Sequence, residues 1–524
     1  MTTRNVQAHL DLVNCDHEPI HIPGSIQSHG VLLVLKEPEL TLLQVSENVQ
    51  TMFGIPAQSV LNHHVSCLLE PSQVEILTRV LLSEDIQSAN PIKLRAKAGK
   101  RKLYLDGIVH RIDGLLMLEL EVAELKESAS FVELYRHLKA SLTRLQLSSD
   151  LHQLCQVAAE EIRLLTGFDR VMIYRFDEQW NGVVVAEDKK AHLHGFLGLQ
   201  FPASDIPALA RELYLKNWLR LINDAGYHPA AIVPVINPLT QRPVDLSYAV
   251  LRGVSPVHLE YLKNMEVRAS MSISLLKGNT LWGLIACHHF TPKYIGHEMR
   301  SMCELVGQIV SMQLLNKQKI EEYRYGMQVK NLQTHVASLI MKEEDGMKGL
   351  KRYGRELLKL VNAQGLAICF DEGYDAVGQV PGEAELRPFI QWLWENMRED
   401  IFATSHLPGI YQEAREAKFK EYGSGVLAIS ISHIQRAFLL WFRPEVIQTV
   451  NWGGNPDEGV KEGKSLTDLH PRASYEIWKQ TICLTSLPWQ LCEIQAATEL
   501  RSIIVDKALQ DIVLKQTLGL WLRQ

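Results

Sequence analysis

Short apolar runs separated by polar turns recur from residue 18 to 122. Among them are Val31-Leu-Leu-Val-Leu35 and Leu115-Leu-Met-Leu-Glu-Leu120, and they predict the strands of a small α+β domain. A helix-like stretch from Ser72 to Leu82 interrupts them. Between Glu124 and Ser149 the period changes: Phe131, Leu134, Tyr135 and Leu138 lie three and four apart with charges on the other side, which predicts a connecting helix. Helices and strands mix again from 150 to 315, Arg170-Val-Met-Ile-Tyr-Arg-Phe176 being one strand. Further on, Met271, Ile273 and Leu275 alternate with Ser270, Ser272 and Ser274, so the strand entering a turn at Lys277-Gly-Asn279 has one apolar and one hydroxyl-lined face. Met302, Leu305, Ile309 and Met312 open a long helix that should reach Lys342 and end near Gly346. Another mixed domain follows to residue 510, and Leu491 onward is helical in pattern.

A chain of 524 residues exceeds what one hydrophobic core supports and implies roughly three to four domains. A formal net charge of −6 with no long basic stripe argues against a nucleic-acid partner. No basic segment leads into an apolar stretch at the N-terminus and no apolar run is long enough to cross a bilayer, so a cytoplasmic location without membrane contact is expected. Eight scattered cysteines without a Cys-x-x-Cys pair fit reduced thiols. Enzyme signatures fail on spacing. Gly463-Lys-Ser465 imitates the end of a phosphate-binding loop, but Glu458 stands five positions before Gly463 and no strand feeds it. His63-His64, His192-x-His194 and His288-His289 lack the glutamate and helical spacing of a zinc hydrolase, so neither a metal nor a catalytic site is expected.

Longer stretches carry more. Asp245 to Ser274 reads as a pocket wall with polar groups at fixed intervals; within it Ser255-Pro256 starts a helix, serine as cap and proline in the first turn, that puts His258 and Tyr261 on one side. Others are Asn14-Cys-Asp-His-Glu-Pro19 with Ile22-Pro-Gly-Ser-Ile-Gln-Ser-His-Gly30, Phe201-Pro-Ala-Ser-Asp-Ile-Pro207, Asn451-Trp-Gly-Gly454 and His470-Pro-Arg-Ala-Ser-Tyr475. Together they resemble the bacteriophytochromes, the biliverdin-binding phytochromes, over essentially the whole chain in the order PAS, GAF, PHY. Plant and many cyanobacterial phytochromes carry their bilin on a cysteine after the Ser-Pro pair, where this chain has Val257, which cannot form a thioether. Cys15 instead matches the N-terminal cysteine of bacterial members.

The resemblance implies an α+β fold of three mixed domains, each an antiparallel sheet with flanking helices, joined by long helices. They are an N-terminal extension with a PAS domain over 1–125, a GAF domain over 126–317, a PHY domain over 318–510 with a tongue over 443–482, and the end of an output helix over 511–524. Ile26 would be threaded through a GAF loop as a knot. One biliverdin IXα per chain would be bound through a thioether at Cys15, with His17 assisting and Asp16 opposing thiolate formation. Asp205 and His258 would flank the pyrrole nitrogens, since a protonated bilin is a buried cation that needs partners. Arg220 and Arg252 would hold the propionates, helped by Tyr214, Ser255, Ser270 and Ser272. Tyr174, Phe201 and Tyr261 would surround the D ring and His288 would bond its carbonyl. In the tongue, Arg472 would pair with Asp205 before illumination and Ser474 after it, with Trp452, Tyr475 and Trp478 as further members. Tyr475 replaces the family's phenylalanine, and Gln480 of Trp478-Lys-Gln480 replaces a glutamate.

These features imply a red/far-red photoreceptor that isomerises its bilin at the C/D bridge and signals by tongue refolding. Helical segments 131–146, 302–340 and 491–524 imply a homodimer, with a downstream kinase or response regulator as output. The chain itself should not be an enzyme, because the residues after Asp511 are far fewer than the on the order of a hundred an ATP domain needs; it would be the sensory part of a longer kinase. The competing reading, a GAF-type small-molecule or tetrapyrrole sensor without photochemistry, leaves Cys15, Asp205 and Arg472 unexplained together.

Overall fold

Strands form where the apolar runs place them, and the first runs are unbroken because both faces of their sheet are covered. The computed structural model describes residues 19–83, 85–98, 101–123, 131–343, 346–370, 373–415, 417–432, 436–456 and 477–521. They divide into two units, one running to Lys317 and taking in Asn451–Trp478, the other made of Gln318–Val450 and the chain from Lys479 onward.

In the first unit, β1 (Ser25–Ile26), β2 (Gly30–Lys36), β3 (Thr41–Ser46), β4 (Ile92–Ala98), β5 (Arg101–Ile112) and β6 (Leu115–Val122) form most of one sheet. Val31, Leu33 and Leu35 pack with Leu116, Leu118 and Leu120 and with Leu77 of the helix Pro71–Leu81. Leu32 and Val34 face the other way, against Met117, Ile232, Leu246 and Leu251. Downstream follow β7 (Arg170–Phe176), β8 (Gly182–Lys189), β9 (Gln200–Phe201), β10 (Leu219–Ile222), β11 (Ala230–Val233), β12 (Ala269–Lys277) and β13 (Thr280–His289). β11 leaves this group to insert between β1 and β3, giving the antiparallel order β1-β11-β3-β2-β6-β5-β4. Ile26, fully buried, pairs with Ala230 and bridges to Arg252.

The second sheet runs β10-β12-β13-β7-β8-β9. Its odd-numbered face, with Val171, Ile173, Met271, Ile273 and Ile285, packs on the helix Leu151–Thr166 and the start of the helix His297–Lys342. Asp150 caps the former by accepting from Gln153 N at 2.8 Å, and Gly167, at φ 66°, ends it. The β12–β13 hairpin turns at Gly278, φ 61°. The predicted connecting helix is Phe131–Leu147 and the long helix begins earlier than expected, at His297. The spacing that announces the long helix is not the stripe it buries. Cys303, Val306, Val310 and Leu314 face the core, whereas Leu305 and Met312 are 39% and 69% exposed.

The second unit is built on β14 (Gly365–Phe370), β15 (Gly373–Gly378), β16 (Ile401–Thr404), β17 (Gly425–Ser432) and β18 (Ala437–Arg443), in the antiparallel order β15-β14-β18-β17-β16. One face packs on Val336 and Ile340 of the long helix and Leu500 and Ile504 of the helix Leu491–Trp521; the other packs on Phe389 and its neighbours. Arg443 ends β18 buried, donating to Glu493 at 2.8 Å and to the carbonyls of Val361 at 2.7 Å and Pro488 at 2.6 Å, while Tyr325 also donates to Glu493. The charge is therefore both paired and hydrogen-bonded. β19 (Gln448–Gly453) and β20 (Ile477–Ile482) follow.

Candidate functional site

The even-numbered face of the second sheet is roofed by the helix Ala208–Lys216, the helix Pro256–Asn264 and the segment 245–254, and a cavity lies beneath. It contains about 1550 Å³ of non-atom space, its open mouth included, and adjoins a second recess of about 660 Å³. Asp205, Tyr214, Arg220, Arg252, Ser255, His258, Tyr261, Ser270 and Ser272 line the first. Tyr174, Phe201 and His288 line the second, together with Asp205, Tyr214, His258, Tyr261, Ser270 and Ser272. Sheet register explains part of this gathering: Ser272 pairs with Arg220 on one side and Ala286 on the other, and Ser270 pairs with His288. Cys15, Arg472, Ser474 and Tyr475 lie outside the described residues. Trp452 is buried and pairs in parallel with Gln200, and a Cβ on Gly453 would come within 2.6 Å of Phe201, so this strand runs directly against the recess wall. Trp478 and Gln480 lie half-buried on β20.

The alternation on β12 forms as expected, and Ser274, on the same face as Ser270 and Ser272, is fully buried beneath the roof: its Oγ donates to the carbonyl of Tyr214 at 2.7 Å and fixes the last turn of that helix, while Ser270 and Ser272 line the cavity. One expectation changes. Ser255 occupies the N-cap position before Pro256, yet its side chain makes no capping hydrogen bond.

The cavity sets two arginines and one carboxylate, Asp205, among otherwise neutral side chains. Arg252 is lowered to about 9, by burial first and then by Arg220, and burial also lowers Arg220. Neither guanidinium has a carboxylate in an ion pair among the described residues. His258 is lowered to about 4 by burial and then Arg220; His288 is lowered to about 3 by burial, Arg170 and His258. Both imidazoles are therefore neutral at pH 7, each with one donor and one acceptor nitrogen. His288 Nδ1 is buried without a hydrogen-bond partner among the described residues. His258 stacks on Tyr261, ring centroids 5.8 Å apart, and Tyr261 OH donates to Asp205 at 3.3 Å. Such a site suits a long apolar molecule with two anionic groups at the arginines, N–H groups near Asp205 and His258, and an acceptor near His288. The bilin proposed from sequence has that chemistry, so the residues fit it.

Arg220, named from sequence, spends its Nη groups on the carbonyls of Val250, Arg252 and Gly253, so it builds the wall as well as charging it. Two further contributors escape sequence reasoning. Tyr227 accepts the Val254 N–H at 2.9 Å. Glu119, from the first sheet, holds the same wall from behind. Its only advance signal is an acid inside the apolar run of β6.

Comparison with known proteins agrees with this architecture. The chain matches the PAS fold over residues 15–123, the GAF domain over 150–314 and the phytochrome region over 329–512. It is 47% identical over 502 residues to cyanobacterial phytochrome B of Nostoc sp., covering 96% of this chain and 67% of that one. With a bacteriophytochrome of Pseudomonas aeruginosa it shares 33% over 513 residues, covering 95% and 67%. The chain thus spans about two thirds of the length of these relatives. Among solved structures, a bacteriophytochrome from the photosynthetic bacterium R. palustris aligns with a TM-score of 0.84 at 39% identity, covering 95% of this chain and 99% of that one. The photosensory core module of a Stigmatella aurantiaca phytochrome aligns with a TM-score of 0.81 at 43% identity, covering 96% and 99%.

Proposed function

The chain belongs to the phytochrome family of photoreceptors, and from that premise we propose that it is a red/far-red sensory module that binds one biliverdin covalently at Cys15. The observation that carries the ligand assignment is the pair of guanidiniums, Arg220 and Arg252, that have no carboxylate in an ion pair among the described residues and share one cavity with Asp205 and the neutral His258. Biliverdin, when bound, supplies the absorption of light and the isomerisable bridge between its C and D rings.

Everything else falls to the protein. Arg252 meets a propionate, with Tyr214, Ser255, Ser270 and Ser272 offering hydroxyls, and Arg220 adds charge while holding the wall. Asp205 accepts from the pyrrole side, and His258 keeps a lone pair or a proton for the same nitrogens. Tyr174, Phe201 and Tyr261 limit the space around the D ring, and His288 offers a donor to its carbonyl. We assign the response to an exchange of Asp205 partners from Arg472 to Ser474 as the tongue over 443–482 refolds, with Trp452, Tyr475 and Trp478 repacking. That is one local event biasing a two-state element. The domain limits given from sequence, the threading of Ile26, a cytoplasmic homodimer and a kinase or response-regulator output complete the proposal. Among the described residues no helix is long and apolar enough to cross a membrane.

The test is the absorption spectrum of the full chain with biliverdin before and after red and far-red light, followed by denaturation. Reversible conversion with colour retained on the denatured chain is expected. Pigment binding without photoconversion would favour the non-photochemical sensor, and no binding would refute both tetrapyrrole readings.

A further inference from the structure

The segment Val250–Gly253, which carries Arg252 into the cavity, is held by charged groups from two sides. On one side Arg220 donates to the carbonyls of Val250, Arg252 and Gly253 at 3.1, 2.6 and 3.2 Å. On the other, the two carboxylate oxygens of Glu119 on β6 accept the N–H groups of Val250 at 3.1 Å and Leu251 at 2.6 Å. Glu119 is fully buried. The groups facing it are few. His110 of β5 has Nδ1 at 3.8 Å, too far for a hydrogen bond, and burial lowers its pKa to about 4, so it stays neutral. Asp245 acts on His110 from the 245–254 segment. Glu121 of the same strand is engaged by Arg300 at 3.0 and 2.8 Å and by Tyr294 at 2.9 Å, and Arg220 and Arg252 lie beyond the clamped backbone. A buried carboxylate without a bound cation is a costly way to fill a sheet core, where an apolar side chain would serve. Its hydrogen bonds all go to the segment that presents Arg252.

We propose that Glu119 is a positioning residue of the bilin pocket: by holding the amides of Val250 and Leu251, it sets the place at which Arg252 meets a propionate carboxylate. This rests on the bilin-binding reading above. Burial, opposed by the two amide hydrogen bonds, raises the carboxyl to about 7. Protonation turns one accepting oxygen into a donor facing an N–H, so the clamp is complete above that pH and loosens below it.

The experiment compares biliverdin with its dimethyl ester, which lacks both carboxylates, by the initial rate of pigment uptake at limiting pigment. In the full chain, Glu119→Gln should slow uptake of the free acid by about tenfold, as expected for loss of a charge-assisted hydrogen bond, and leave the diester within about twofold. Arg252→Gln should erase the preference for the acid, and adding Glu119→Gln to it should change nothing more. In the wild type, the acid-to-diester ratio should fall as pH drops from about 8 to about 6. Equal loss for both pigments, or loss for neither, overturns the proposal. Should Glu119→Gln fail to fold, the wild-type series decides, a flat ratio overturning it. A wild type that binds neither pigment refutes the bilin reading and this proposal with it, which separates the two failures.

Discussion

Gly182 is where the D-ring side of the pocket has least room to spare. It lies on β8 between Phe176 of β7 and Phe201 of β9, and the ring of Tyr174 crosses it. A Cβ built there would be 1.7 Å from Cζ and 1.9 Å from Cε1 of that ring. Carbon atoms in contact rest at roughly 3.5–4.0 Å, so Gly182→Ala demands a ring displacement of about 2 Å. Phe176 and Phe201 stand 5.3 and 6.0 Å from the Tyr174 centroid, which leaves the recess as the open direction. The displaced ring therefore enters the space assigned to the D ring. Overpacking of this kind costs about 1–3 kcal/mol, to be read from denaturant unfolding of the pigment-free chain. With pigment, the photoconverted fraction at fixed light dose should fall several-fold. Tyr174→Ala removes the obstacle, so the two substitutions together should be less harmful than their sum by at least about 1 kcal/mol. If Gly182→Ala left both the unfolding midpoint and photoconversion unchanged, or if the pair were additive, the ring would not be where this reasoning places it.

Cys15→Ser should still take up some biliverdin but lose the colour that survives denaturation; a full adduct in that variant would remove Cys15 from the assignment. Acid should weaken the first unit earlier than its surface carboxylates would. Burial lowers His29, His110 and His258 to about 4 and His288 to about 3. Unfolded histidines titrate near about 6.5, so below that pH the unfolded chain takes up protons that the folded chain refuses, and stability falls by on the order of 1 kcal/mol per histidine at about pH 5.5. Glu119, raised to about 7, acts in the opposite sense above its unfolded value of 4.5, but it is one group against four. An unfolding midpoint that does not drop between about pH 7.5 and 5.5 would contradict this. In the second unit, Glu493→Ala leaves Arg443 buried without its counter-charge and should cost about 3–5 kcal/mol by denaturant unfolding, an effect absent if the pair were solvated.

What was legible in the sequence and what was not follows from range. The strand runs of β2 and β6, the hairpin at Gly278 and the helices at 131, 256 and 491 depend on neighbours within a few residues, and local pattern suffices for them. The described pocket residues named from sequence do meet, because the stretches Phe201–Pro207 and Ser255-Pro256 carry their own turns and helix starts. Partners far along the chain were hidden. No local signal places Ala230–Val233 in the sheet of residues 25–122, puts Gly182 under Tyr174, or tells that Ser274 turns to the Tyr214 carbonyl while Ser270 and Ser272 face the cavity.

β6 shows why. Leu118-Glu-Leu-Glu121 alternates like a strand with one wet face, yet Glu119 and Glu121 are both fully buried. Period two sends them to the same side, where the later half of this unit arrives. Arg300 and Tyr294 meet Glu121 there, and the amides of Val250 and Leu251, 131 and 132 residues on, meet Glu119. An acid on an exposed face would gain little from either contact, since water competes for it; sealed from water, the same contacts must be made or the face does not close. Alternating charge in an otherwise apolar strand can thus mark the surface on which a distant segment is received. On β6 the received segment is the one that delivers Arg252, so a sheet whose strands contribute no residue to the cavity lining still holds the wall of the pocket.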